Sequence, residues 1–302
     1  MPAGNLLLPF QPLNEGAALT LREHLRHAEQ ELASGPHPDR ARLDAETLLL
    51  QALQKDRAWL ITHWHDEAEA ATAAKYDVLV ARRKTGEPIQ YITGSSEFFG
   101  LPFSVGPGVL IPRPETEHLV EEVLRLAKAF EETPLRIADI GTGSGIIAVA
   151  LAHSLPSAQI SAIDSSPQAL AIARENAKSH DLESRIEFFE GDLFTPLTGQ
   201  SFQVIASNPP YIPVAEKDAL SIEVREHEPH SALFAGDDGL EIYRRLIPDA
   251  LVLLVPHGWL VLEIGFGQQP AIEVLLQSAG YSQIHFIPDY QGIPRVAAAQ
   301  RS

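Results

Sequence analysis

Asn208-Pro209-Pro210-Tyr211 closes an apolar run, Phe202 to Ser207, and its residue types suit one kind of chemistry. Proline lacks an N–H and its ring fixes φ, so two in succession make a stiff corner whose carbonyls find no local donors. Asn208 adds a further carbonyl acceptor and Tyr211 a flat face. Such a corner can accept both hydrogens of a planar –NH2 group while the ring stacks on the attached π-system. A reaction at an amide or amino nitrogen would use that arrangement. The plainer alternative is a strand-ending turn with no ligand.

A reagent site is readable upstream. Arg136 to Ala152 runs as a short buried strand, a glycine turn and an apolar helix, with Gly141, Gly143 and Gly145 inside five residues. Glycines at that spacing let the backbone approach a ligand closely, as in nucleotide-binding loops. No Lys-Ser/Thr follows them, which excludes a P-loop. A second strand ends in Asp164 about twenty residues on, where a carboxylate can accept from ribose hydroxyls. By itself the pattern fits either a nucleoside site or a structural turn.

Asp139-Ile-Gly-Thr-Gly-Ser-Gly145, Asp164 and Asn208-Pro-Pro-Tyr211, in that order, resemble the S-adenosylmethionine-dependent methyltransferases that act on nitrogen. Gly86-Glu-Pro-Ile-Gln-Tyr91, Glu97 to Phe103, Leu110-Ile-Pro-Arg-Pro-Glu115-Thr-Glu117, Asp238-Gly-Leu-Glu241 and Leu262-Glu-Ile-Gly265 are similar to the glutamine-N5 methyltransferases that modify peptide chain release factors. The resemblance runs from about Asp44 to Arg295. Glu115 departs from it, since the family more often has aspartate there, but the acid is kept. Residues before about Gly16 match nothing and read as a variable tail.

The resemblance implies S-adenosylmethionine as cofactor and the glutamine of a release factor's Gly-Gly-Gln loop as target. It assigns cofactor binding to Asp139, Gly141, Thr142, Gly143, Ser144, Gly145, Asp164, Asp192, Leu193 and Asn208. Thr142 and Ser144 are either ligand contacts or turn residues. Asp139 either reaches the cofactor amino group through its neighbours or merely orders the loop. Asp164 is expected on the ribose rather than as a helix N-cap. Asp192 would accept from the adenine amino group with Leu193 packed on the ring, a position where similar proteins often carry an aromatic. Asn208 and the Pro209 carbonyl would hold the target amide, with Pro210, Tyr211 and Arg113 completing the catalytic and substrate-binding set. Glu263 either faces the site or closes a buried hydrogen bond to Arg113. Glu223 to Glu228 reads as a solvated stretch of a possible lid, about 212 to 234. Two rival substrates use the same corner: a glutamine in a ribosomal protein, and the exocyclic amine of adenine.

The elements that must position these groups fall into three stretches. Residues 1–85 read as a helical bundle for substrate recognition or simple packing, with helices at Ala17–Leu32, Asp39–Leu53, Trp59–Trp64 and Ala68–Arg83. Residues 86–110 suggest a β-hairpin linker, Glu97–Phe99 and Phe103–Val105 about a Gly100-Leu-Pro turn. Residues 111–302 read, by the resemblance, as the methyltransferase domain. A helix at Glu115–Glu131 precedes strands near 135–140, 158–163, 185–189, 202–206, 258–264, 282–287 and 294–300. Strands alternating with helices predict an α/β fold with a doubly wound, Rossmann-like sheet, and the resemblance makes one of the last strands antiparallel. In such sheets ligands bind beyond the carboxyl ends of the strands.

Bulk properties narrow the function. The 302 residues carry a formal charge of −17 and no cysteine, so disulfides and thiolate metal sites are excluded. His63-Trp-His65 has a spacing that points the rings apart, and no metal is expected. Acidity argues against direct DNA binding, which relies on clustered Lys/Arg. The Arg82-Arg-Lys84 cluster reads as the end of a solvated helix. The opening residues lack signal-peptide features and no run nears the ~20 apolar residues of a membrane span. A cytoplasmic monomer without membrane contact is expected.

Overall fold

The computed structural model describes residues 19–130 and 134–302; the expected variable tail lies outside them, whereas the helix expected to reach Glu131 ends within them, at Ala127. The chain divides into two compact units, 1–86 and 87–302.

The first unit is helical: α1 (Leu21–Leu32), α2 (Ala41–Leu53), α3 (Arg57–Thr62) and α4 (Ala70–Lys84). α1 starts at Leu21, because Thr20 and Glu23 form a reciprocal capping box that satisfies its first amides; the expected start at Ala17 lies outside the described residues. α3 starts earlier than expected, at Arg57, with Asp56 as N-cap accepting from the Trp59 N–H at 2.7 Å. Leu21, Leu25, Leu48, Leu49, Leu60 and Tyr76 are buried in this unit. The end of α4 is not simply solvated as expected: Arg83 is 2% exposed and its Nε lies 2.6 Å from Asp44, equally buried. His63 stacks on Trp59 with ring centroids 3.9 Å apart.

The second unit opens with α5 (Ile89–Thr93) and a hairpin, β1 (Ser95–Phe98) and β2 (Leu101–Ser104). The turn is Phe99-Gly100 rather than Gly100-Leu-Pro, and both residues have positive φ. That geometry matches the twist of a two-residue hairpin. Phe99 is held in it by its N–H, which donates to Glu117 Oε1 at 2.8 Å.

There follow α6 (Thr116–Ala127), β3 (Leu135–Ile140), α7 (Ile146–Ser154), β4 (Ala158–Asp164), α8 (Pro167–Ser179), β5 (Ile186–Glu190), β6 (Phe202–Ser207), α9 (Ile222–His227), α10 (Glu241–Leu253), β7 (Leu254–Glu263), α11 (Gln269–Ala279), β8 (Tyr281–Pro288) and β9 (Pro294–Arg301). The sheet order is β5-β4-β3-β6-β7-β9-β8. β9 runs antiparallel to β7 and β8, and the other pairings are parallel.

Successive strand residues serve opposite faces, as the pleat demands. Ile137, Val204 and Ala206 join α6 and α7 in one core, whereas Ala138, Ile140 and Ile205 join α10 and α11 in another. Helices on both faces explain why β6 is buried along its whole length. The doubly wound expectation therefore holds, with β9 as the antiparallel strand.

Candidate active site

Strand order reverses between β3 and β6, and ligands of open α/β sheets bind at such a switch point. Ile140 and Ser207 are register partners there, and the Ser207 hydroxyl donates to the Ile140 carbonyl at 2.6 Å. Gly141 and Asn208, each the next residue, consequently emerge side by side. The glycine turn and the Asn-Pro-Pro corner are thus neighbours by sheet register.

Backbone bonds shape the turn: the Gly141 and Thr142 N–H groups donate to the Ile163 carbonyl at 2.9 and 2.8 Å. Gly141, Gly143 and Gly145 all have positive φ. A Cβ on Gly145 would meet Ala173 at 3.0 Å, so this glycine permits close helix packing; one on Gly141 or Gly143 would meet nothing within 4 Å. Those two glycines line a cavity with Thr142, Ser144, Asp164, Asp192, Leu193, Asn208, Pro210, Arg113 and Thr116. Open space over the bare glycines, faced by acids at the ends of neighbouring strands, fits an adenosine-bearing cofactor with a cationic amino-acid end.

Asp139 lies beneath the turn, wholly buried, and is absent from the cavity lining. Its Oδ2 accepts from the Thr142 hydroxyl at 2.6 Å and the Ala148 N–H at 3.2 Å, so it orders the loop. Its Oδ1 has no partner among the described residues. Burial pushes this carboxyl up to about 7, against those two hydrogen bonds, which lower it.

Asp164 Oδ2 accepts from the Gly143 N–H and Oδ1 from the Ser166 N–H, both at 2.9 Å. The N-cap of α8 is Ser166, whose hydroxyl accepts from Ala169 N–H, which leaves Asp164 at the cavity wall. Asp192 is exposed and ion-paired with Arg245. Leu193 sits at φ 49°, packed partly against the α10 side core.

The corner has a buried backing that the sequence reading left open. Glu263 is not bonded to Arg113: its Oε2 accepts from the Thr116 hydroxyl at 2.6 Å and its Oε1 from the Tyr211 hydroxyl at 3.3 Å. Thr116 Oγ1 in turn accepts from Asn208 Nδ2 at 3.1 Å. Arg113 instead meets Glu228 at 2.5 Å. Glu228 is 4% exposed, so the end of the segment read as solvated is buried; residues 222–227 form α9. Pro209 and Tyr211 do not line the cavity. The Tyr211 carbonyl accepts from Gln268 Nε2 at 3.0 Å, and burial raises its phenol above the usual range, with Glu263 adding to the effect.

Two further residues escaped the sequence reading. Gln268, which also accepts from the Gly265 N–H at 2.9 Å, clamps the corner from behind. Asn176, fully buried on α8, donates to the Ser104 and Ser144 carbonyls and accepts from the Ser104 N–H, tying the hairpin to the glycine turn. A polar residue at helical spacing from Ala169 and Ala173 was the available signal.

Residues 23–94 match the PrmC N-terminal domain, and residues 122–225 match the methyltransferase small domain. The release factor glutamine methyltransferase of Koribacter versatilis is 42% identical over 284 residues, which is 94% of this chain and 99% of that protein. Its counterpart of the same name from Geobacter sulfurreducens is 45% identical over 262 residues, 87% and 90% of the two chains. Among solved structures, the hMettl16 catalytic domain in complex with MAT2A 3'UTR hairpin 6 gives a TM-score of 0.55 at 18% identity, over 82% of this chain and 93% of that one; that likeness concerns the fold alone. On near full-length identity above 40%, the chain belongs to the release factor glutamine methyltransferase family.

Proposed function

We propose that this protein transfers a methyl group from S-adenosylmethionine to the side-chain amide nitrogen of a glutamine in a peptide chain release factor, the glutamine of its Gly-Gly-Gln loop. The observation that carries the reading is the Ile140–Ser207 register, which sets an adenosine-type glycine turn beside an amide-type acceptor corner.

Gly141 to Gly145 and Asp164 would hold the cofactor, with Asp192 and Leu193 at its adenine end. The cofactor supplies a methyl already made electrophilic by its sulfonium, so the protein has only to present a nucleophile. An amide nitrogen is a poor one because its lone pair is delocalised into the carbonyl. Asn208 Oδ1 and the Pro209 carbonyl are assigned its two hydrogens, although of these two residues Asn208 alone lines the cavity; accepting them fixes the plane of the –NH2 and pushes electron density toward nitrogen. Pro210 and Tyr211 keep that corner stiff, and Arg113 lines the approach. The proton leaves to water after transfer, since no group beside the corner is needed as a base. Residues 1–85 serve recognition of the protein substrate, with 86–110 as a linker to the catalytic residues 111–302. The protein acts as a cytoplasmic monomer; among the described residues no helix is long and apolar enough to cross a membrane.

Incubation with labelled cofactor and, separately, release factor, ribosomal proteins and DNA tests the assignment. Label in the release factor glutamine is expected. Label confined to ribosomal protein or to DNA would overturn it.

A further inference from the structure

Behind the acceptor corner stands a buried acid that does not line the cavity. Glu263 is 2% exposed and Thr116 fully buried. The Thr116 hydroxyl has a single proton, which it gives to Glu263 Oε2 at 2.6 Å. Only lone pairs then remain on Thr116 Oγ1, and a neighbour must approach with an N–H. Asn208 does so with Nδ2 at 3.1 Å. Its Oδ1 is thereby turned the other way, on a residue that lines the cavity. The other carboxylate oxygen receives the Tyr211 hydroxyl at 3.3 Å, so one acid steadies both polar side chains of the corner.

We propose that Glu263 and Thr116 form a positioning relay that fixes which face of the Asn208 carboxamide meets the substrate, presenting its oxygen and turning its –NH2 inward. The proposal rests on the assignment of Asn208 as the acceptor of a substrate –NH2. A carboxamide flipped by half a turn would offer the target a donor in place of an acceptor, and two –NH2 groups would face each other. Shape alone cannot prevent that flip, because the oxygen and nitrogen ends are nearly the same size; a hydrogen-bond partner of fixed polarity can.

The polarity of the relay depends on the charge of Glu263. Around this carboxyl stand the Thr116 and Tyr211 hydroxyls and, at longer range, Glu115 and Arg295; the Tyr243 hydroxyl takes the Glu263 backbone carbonyl at 2.7 Å. Burial pushes the carboxyl up to about 7, opposed by the Thr116 and Tyr211 hydrogen bonds, with Glu115 raising it and Arg295 lowering it. Once protonated, Glu263 can donate to Thr116, and the freed Thr116 hydroxyl can donate to Asn208 Oδ1. The amide then has no preferred face. Turnover therefore belongs to the ionised form and rises as pH climbs through about 7.

The test is the kinetics of wild type, Thr116→Val, Thr116→Ser and Glu263→Gln on purified release factor at saturating cofactor, across the neutral pH range. Cofactor affinity and thermal midpoint serve as checks on folding. Thr116→Val is expected to lower kcat by roughly 100-fold, the scale of a misplaced catalytic contact, with little change in KM. Thr116→Ser restores most of the loss, since it keeps the hydroxyl, and Glu263→Gln removes the rise of kcat near neutrality. Wild-type kcat in a folded Thr116→Val, or an unchanged pH limb in Glu263→Gln, would overturn the relay while leaving the assigned function standing. Absence of wild-type methylation would overturn the function, and the relay with it.

Discussion

Replacing Asp139 with asparagine should flatten the dependence of folding stability on pH. The carboxyl lies under the glycine turn with both donors on one oxygen and, among the described residues, none on the other. Burial raises it from 3.8 to about 7. The folded protein therefore binds a proton that the unfolded chain releases above about pH 4, and stability falls with rising pH wherever the native state holds more protons. The contribution is fully present below the unfolded value and is lost as pH rises through about 7. Moving the carboxyl from 3.8 to about 7 corresponds to about 4 kcal/mol at the limit, of which roughly 2–3 kcal/mol falls between about pH 5 and pH 8. Asparagine can offer its oxygen to Thr142 and Ala148 as the protonated acid does, and it does not titrate. Urea unfolding at several pH values, for wild type and Asp139→Asn, reads the difference directly. Glu263 titrates in the same window and in the same direction, so part of the decline persists in the variant and the comparison must be between slopes. Parallel curves for the two proteins would refute the reasoning.

Three other perturbations probe the site. Asn208→Ala should lower turnover by at least ~100-fold, comparable to losing one transition-state partner, while calorimetry finds the cofactor still bound; unchanged kcat removes that side chain from the reaction. In Gly239→Ala a Cβ would lie 2.2 Å from the Tyr211 carbonyl at a φ of +72°. The backbone strain alone costs roughly 1–3 kcal/mol, and displacement of Tyr211 should lower activity as well as the denaturation midpoint. Asn176→Ala strands part-buried partners in Ser104 and a buried one in Ser144, at up to about 1–3 kcal/mol each. Cofactor affinity should fall along with stability, and a variant that loses stability alone would deny Asn176 a part in shaping the glycine turn.

The legible parts of the site were those whose requirements are local. Three glycines in five residues report a backbone at positive φ, and successive prolines report a corner, whatever lies elsewhere in the chain. Continuous apolar strands alternating with helices likewise announce a sheet covered on both faces. Errors in the local reading came from competing short-range signals. The capping box at Thr20 moved a helix start, and the pair of positive-φ residues Phe99 and Gly100 moved a hairpin turn.

Alternating strands and helices, glycine spacing and the proline corner were enough to predict a doubly wound fold, a nucleoside-type turn and an acceptor for a planar nitrogen. They could not say that turn and corner would be neighbours; the parallel pairing of β3 with β6 did that. Nor could they link Thr116 to Glu263, 147 positions away, or Asn208 to Thr116, 92 positions away. A buried acid has no character of its own until the fold decides which donors it meets, because its charge and its partners are set by groups that sequence distance does not reveal.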